Sequence, residues 1–348
     1  MLTSMPRINQ QNLAKELQLS QTTISRSLAN HPAINAETKA LVLETAAKMG
    51  YSQPIRRRQP SAVADRTAVW GVVITMPKKF SDPSETFQEV LRGIADKSAL
   101  HEAILDVVYH DPADDNPASL LRRIRNAHWK GIIFIYPINP EIARQIAHRI
   151  ASVSIIEKYE NQRIDSIDVD QSETLLKLVK HLKEHGHRKI GFFTWQYAVD
   201  APWVLHRFGS YVEALYRLGL EFNPAFCVNL DASAPLEPAE AAAKAAALVR
   251  SGVTSFVCAA DHQAYSLVED LGKLGLSVPG DVSLTGFDGV LPRPGNKQLV
   301  TIRVPYEELG RSATHQLVRR IEQPGAPRRH IIVDGDFIEG ETVASIDS

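Results

Sequence analysis

The sequence predicts an all-α head followed by an α/β body of two lobes, each lobe a doubly wound parallel sheet. Three observations lead there. Residues 13–50 hold apolar side chains at helical spacing and lack any β-rich run. From Val69 onward, short β-rich runs alternate with longer amphipathic ones. The 348 residues exceed one ordinary domain, and about nine strands over roughly 280 residues suit two sheets better than one.

The head reads as three helices. Leu13, Ala14 and Leu17 face one way, Leu19 fills a turn, and Ile24 and Leu28 stand four apart on a second helix, the spacing of one buried stripe. Ser20 can cap that helix by accepting a hydrogen bond from an otherwise unpaired amide. Its other positions, Gln21, Thr22, Thr23, Ser25 and Arg26, are polar, short or basic. Such a helix packs one face on its partner and offers hydrogen-bonding groups on the other. That is the design of a helix-turn-helix, whose second helix enters a DNA major groove. A third helix is expected after Asn35, its cap, with Glu37 near its positive end. Leu41, Val42, Ala46 and Met49 would form its apolar face and Gly50 its stop. Residues 52–66, with two prolines and the run Arg56-Arg57-Arg58, read as a linker.

The body follows as expected strands at 69–75, 103–109, 131–136, 152–156, 189–194, 226–230, 255–259, 282–287 and 299–304. The expected helices lie at 85–100, 119–127, 140–150, 172–186, 207–218, 238–251, 262–274 and 306–321. Strict alternation implies parallel sheets with helices on both faces. Ligands of such sheets bind near the carboxyl ends of the strands.

Composition narrows the function classes. The net charge of −1 conceals an asymmetry. Residues 1–64 carry eight basic and three acidic residues, or +5, and the remainder carries −6. A basic head on a mildly acidic body suits contact of the head alone with a polyanion. Cys227 and Cys258 lie in apolar runs and read as buried thiols of a reduced compartment. No run reaches the roughly 18 apolar residues of a membrane span, and no signal segment opens the chain. A cytoplasmic protein without membrane contact is expected. His185 and His187 lack a matching ligand cluster, so no metal site is expected. No phosphate-binding glycine loop, nucleophile elbow or zinc-hydrolase helix is present, so neither catalytic residues nor a cofactor are expected.

Several segments, taken in order, resemble the LacI/GalR family of bacterial transcriptional regulators. In the head these are Leu19 to Leu28, Pro32, Glu37-Thr38 and Met49-Gly50-Tyr51. In the body they are Leu91-Arg92-Gly93-Ile94, Gly186 to Phe192, Pro279 to Asp288 and Thr301 to Gly310. The resemblance covers essentially the whole chain. It implies a DNA-binding domain at 1–51, a linker or hinge at 52–66 and a periplasmic-binding-protein-like body at 67–348. Lobe 1 would span about 67–167 and 300–327, and lobe 2 about 168–299 and 328–348. It further implies a homodimer on a near-palindromic double-stranded DNA operator and a small effector between the lobes. The absence of a terminal heptad segment argues for a dimer over a tetramer.

Within that frame each candidate residue has a chemical task. Gln21 can pair with adenine, Thr22 can touch a thymine methyl and Arg26 can contact guanine, with Ser25 one turn along from the first pair. Thr23 and Asn30 are expected to hold phosphates. The linker departs from the family, because it lacks the usual leucine wedge and Pro60 interrupts a helix. Arg56, Arg57 and Arg58 are expected to give phosphate or minor-groove charge contacts.

The resemblance places Asp170, Arg207, Asp261 and Asp288 at effector contacts. Carboxylates suit polyol hydroxyls, and Arg207 suits vicinal hydroxyls or an anion. The bland reading of each aspartate is a helix cap or turn. Ser210 and Ala260 depart from the family pattern. The aromatics Phe80, Phe87, Trp195, Tyr197 and Trp203 are candidates for stacking on a sugar face, Phe87 and Trp195 foremost. The expected function is a sequence-specific transcriptional repressor controlled by a saccharide. A purine effector, a solute-binding protein and an enzyme carrying a DNA-binding head are the alternatives.

Overall fold

A computed structural model of the protein describes residues 8–51, 68–76, 85–114, 116–160, 162–197, 201–292 and 295–346. The chain divides into two compact units. Met1–Asp168 and Tyr306–Val333 form the first, and Val169–Pro305 and Asp334–Ser348 the second. The head therefore groups with the first lobe. The last two crossings fall six residues beyond the expected positions, for reasons that the late strands supply.

The head consists of α1 (Gln10–Glu16), α2 (Gln21–Leu28) and α3 (Ala36–Lys48). Each has a side-chain cap: Asn9, Ser20 and Asn35 accept backbone N–H bonds at the three N-termini. Leu13, Ile24, Leu28, Val42 and Leu43 are buried. Leu17 is only half-buried. On α3 the expected Leu41 is instead exposed, and Leu43 takes the inward position. Both residues are apolar, so helical spacing alone did not decide which of them faces the bundle.

The first unit continues with β1 (Val69–Thr75), α4 (Glu85–Ala99), β2 (Ile104–His110), α5 (Ala118–Asn126), β3 (Trp129–Ile135), α6 (Pro140–Ala147), β4 (Ala151–Ile155) and β5 (Ile164–Val169). The second unit holds α7 (Gln171–Glu184), β6 (Ile190–Phe193), α8 (Pro202–Arg217), β7 (Cys227–Val228), α9 (Pro238–Arg250), β8 (Ser255–Cys258), α10 (Asp261–Lys273), β9 (Ser283–Thr285) and β10 (Thr301–Arg303). The chain ends with α11 (Tyr306–Glu322), β11 (His330–Val333) and β12 (Asp336–Ile338).

Two α/β sheets result, in the orders β11-β5-β4-β3-β1-β2 and β7-β6-β8-β9. The pairings of β1 through β5 and of β6 through β9 are parallel. In the first sheet Ile132 and Phe134 pack among Ile124 of α5 and Ile142 and Ile146 of α6. A side chain on Gly131 would collide with Leu317 of α11 on the opposite face. Alternation along one strand thus serves two helical layers. In the second sheet, Phe256 and Leu284 pack with α9 and α10. Phe192 meets Phe208 of α8 edge-on and Tyr211 of α8 at a tilt.

Three strands escaped the pattern reading. Strand β5, Ile-Asp-Ser-Ile-Asp-Val, is buried throughout despite three polar residues. Asp165 explains how. Both its oxygens accept from the Arg320 guanidinium at 2.7 and 2.8 Å, and Gln316 and the Arg329 amide also donate to it. Strand β11 sits at the edge beside β5, and this holds residues to Val333 in the first unit. Strands β10 and β12 form an antiparallel pair, which keeps 301–303 and 336–338 in the second.

Candidate functional site

The helix-turn-helix positions its outward face by packing and capping. Ile24 and Leu28 are buried against the other helices, and the Thr23 amide donates to Ser20 Oγ at 3.0 Å. With those residues turned inward, Gln21, Thr22, Ser25 and Arg26 are exposed. Four of the expected DNA contacts thus share one solvent-facing surface. Thr23 stands apart, half-buried, with its hydroxyl 2.8 Å from Ser20 Oγ within the cap.

Asn30 departs from its expected role. It is 6% exposed, and its amide donates to Ser98 Oγ at 3.0 Å and to the Ala103 carbonyl at 2.8 Å. In this arrangement it is turned into the protein and away from any phosphate. Arg56, Arg57, Arg58 and Phe80 lie outside the described residues.

In the second unit, α8 brings Arg207 to the carboxyl ends of β8 and β9. Its guanidinium donates to the Ala259 carbonyl at 2.5 Å and to Asp288 Oδ1 at 3.0 Å. It lies 3.8 Å over the Phe287 ring and 4.6 Å from the Trp203 ring centroid. An arginine so enclosed acts as a rigid base for Asp288. Asp288 itself has φ of 130°, a backbone region that costs a non-glycine residue roughly 1–3 kcal/mol. It is held there by hydrogen bonds through its own N–H and C=O to the strand at Ile302 and Val304.

Half-buried aromatics surround this pair. Trp203 meets Tyr197 edge-on, and the Tyr197 hydroxyl lies 2.9 Å from His262 Nε2. Trp195 meets His262 edge-on at 5.2 Å. The Gln263 amide donates to Tyr197 at 2.5 Å. Sequence reasoning missed His262 and Gln263. Their signal was their position, immediately after Asp261 in the first turn of α10.

The remaining carboxylates do other work. Asp261 is fully buried, with Oδ1 accepting from Thr301 Oγ1 at 2.6 Å and Oδ2 from the Val290 amide at 2.7 Å. Burial and the nearby Asp288 charge push its pKa up to about 7. Both oxygens tie α10 to β10 and the 288–290 turn, so Asp261 supports the site from behind. Asp170 caps α7 by accepting the Glu173 amide, as the bland reading supposed. Phe87 belongs to the first unit, where it is 3% exposed and packs edge-on against Tyr136. The structure thus brings together Arg207, Asp288, Trp195, Tyr197 and Trp203 within the second unit.

His187 is structural: Nδ1 lies 2.9 Å from Thr254 Oγ1 and Nε2 3.1 Å from the Ala344 carbonyl. Burial pushes its pKa down to about 4. A groove of about 530 Å³ elsewhere in the second unit is lined by Phe208, Phe222, Cys227, Asn229 and Lys244 among others, and by none of the expected effector residues.

Comparison with known proteins places this geometry in context. Residues 179–343 match the periplasmic binding protein-like domain family. The uncharacterized HTH-type transcriptional regulator YvdE of Bacillus subtilis is 23% identical, across 95% of this chain and 98% of that protein. The HTH-type transcriptional repressor CytR of Escherichia coli is 24% identical, across 89% of each. Among solved structures, the LacI family transcriptional regulator CCPA from Weissella paramesenteroides with bound glucose aligns with a TM-score of 0.64 at 17% identity. That alignment covers 80% of this chain and all of the other. The lac repressor dimer bound to operator and the anti-inducer ONPF aligns with a TM-score of 0.65 at 15% identity, over 97% and 99% of the chains. Among the described residues no helix is long and apolar enough to cross a membrane.

Proposed function

We propose that this chain belongs to the LacI/GalR family of HTH-type transcriptional regulators, and on that premise assign the residues that read DNA and those that hold the effector. The single observation that carries the reading is the exposed set Gln21, Thr22, Ser25 and Arg26 on a helix whose other face is buried. Gln21, Thr22 and Arg26 meet base edges in the major groove, with Ser25 beside them. Thr23 steadies the first turn of α2. Arg56, Arg57 and Arg58 meet phosphates, which give affinity without sequence preference. The protein works in the cytoplasm as a non-enzymatic repressor, a homodimer on two half-sites.

The effector is a saccharide held on the second unit. Asp288, largely buried but with 11% of its side chain open, accepts hydroxyls, while Trp195, Tyr197 and Trp203 offer ring faces to C–H groups. Arg207 acts through Asp288, holding its carboxylate in place. The glucose-bound neighbour supports this class of ligand.

Selection of random duplexes by the full chain tests the DNA reading. A near-palindromic consensus is expected, and recovery of unenriched sequence overturns it. A thermal-shift screen with sugars, sugar phosphates and purines tests the effector reading, since a ligand that binds only the folded state raises the melting temperature. A response to purines alone would replace the saccharide.

A further inference from the structure

We propose that Asn30 and α3 form a polar latch that docks the head on the α4–β2 corner of the first unit, with Asn30 as the positioning residue for the recognition helix. Asn30 follows α2 with φ of 52°, closing the helix through its amide to Ser27 and the His31 amide to Arg26. Glycine meets that need equally well. The turn therefore does not require the side-chain amide, which instead bridges 68 and 73 residues of sequence to Ser98 and Ala103.

The same contact buries charge. Lys39 and Glu44 of α3 are 3% and 1% exposed, a condition rare for either residue type unless paired. Asp96 of α4 offers Lys39 an opposite charge, and burial lowers the lysine's pKa against that attraction. Glu44 pairs with Lys48 at 3.0 Å on its own helix and approaches Tyr109 of β2, whose pKa is raised by burial and by the Glu44 charge. Asn30 Oδ1 and the Tyr109 hydroxyl are buried with no hydrogen-bond partner among the described residues. A permanent core avoids such groups, because each lost partner is costly. An interface that must part tolerates them.

Docking leaves Gln21, Thr22, Ser25 and Arg26 exposed, so the latch presents the recognition face without covering it. This second point of attachment matters because the linker lacks a leucine wedge and carries Pro60. The consequence for DNA rests on the role proposed for α2, whereas the contact itself does not.

Hydrogen exchange on the full chain, without DNA or effector, tests the contact alone. The variants are Asn30→Gly, which keeps the turn, and Ser98→Ala, which removes one acceptor from the opposite side. Amides in residues 38–46 and in 98–104 should exchange faster in both, by about tenfold for Ser98→Ala, the factor expected for one buried hydrogen bond, and by more for Asn30→Gly, which loses two. Amides of α1 and α9 should be unchanged. Equal rates in wild type and both variants would overturn the latch. So would a rise confined to residues 10–48, which would mean that Asn30 serves only the head's own fold.

Discussion

The outward face of α2 and the Arg207 cluster are both polar, yet they deploy their side chains in opposite ways. On α2 the polar residues reach solvent, and the helix is held by apolar burial and a cap behind them. Around Arg207 the polar groups are bound to one another and to strand ends before any ligand arrives. The first surface is ready to hydrogen-bond to an outside partner. The second is a preorganised scaffold, in which Arg207 holds the Asp288 carboxylate in place. Removing a side chain should therefore act on affinity at α2 and on stability at Arg207.

The largest effect expected is that of Arg207→Ala. It leaves Asp288 buried without its cation and should destabilise the second unit by about 3–5 kcal/mol. Urea unfolding followed by tryptophan fluorescence would report it through Trp195 and Trp203. A loss below about 1 kcal/mol, at the level of an exposed ion pair, would erase the contrast.

His187 extends the scaffold side of the comparison to pH. Its folded-state pKa of about 4 lies below the ordinary 6.5, so the unfolded chain takes up the proton first as the medium acidifies. Stability present above pH 6.5 is lost as pH falls towards 4, by at most ~3 kcal/mol. Asp261 has the opposite sign, since its raised pKa weakens the folded state as pH rises to about 7. Comparing wild type with His187→Gln cancels the Asp261 contribution. The stability gap between them should narrow between pH 6.5 and 4, and a constant gap would remove His187 from the scaffold.

Arg26→Ala tests the α2 side. Affinity for the selected duplex should fall by about 1–3 kcal/mol, with relaxed preference at one base pair in each half-site. Anisotropy titration reads the first and repeated selection the second. The melting temperature should not move. A uniform loss across all sequences would turn Arg26 into a phosphate contact.

Ser20→Ala should have the smallest effect, about 1 kcal/mol of head stability from the lost cap. Hydrogen exchange of the Thr23 amide would detect it. An unchanged rate would show that packing at Ile24 and Leu28 suffices to start the helix.

Much of this architecture is local and was legible in the sequence. The spacing of Ile24 and Leu28 and the caps at Ser20 and Asn35 depend on neighbours within one or two turns, so the outward set of α2 followed directly, except for Thr23, which the cap draws in. The alternation from Val69 onward likewise yielded the two sheets. Strand β5 was hidden, because a buried aspartate reads as a loop until Arg320 arrives from 155 residues away. The short strands β11 and β12 acquire their character only from β5 and β10.

At the candidate site, sequence determined which side chains were available, and tertiary structure decided how each is used. Asn30, Asp170, Asp261 and Asp288 are all short polar residues near element ends, and nothing local separates them. Their partners do. Asp170 finds an amide three residues on, whereas Asn30 finds Ser98 and Ala103, Asp261 finds Val290 and Thr301, and Asp288 finds Arg207. A polar group withdrawn from water must be hydrogen-bonded inside the protein, and which distant group meets that demand is settled only when the chain has folded.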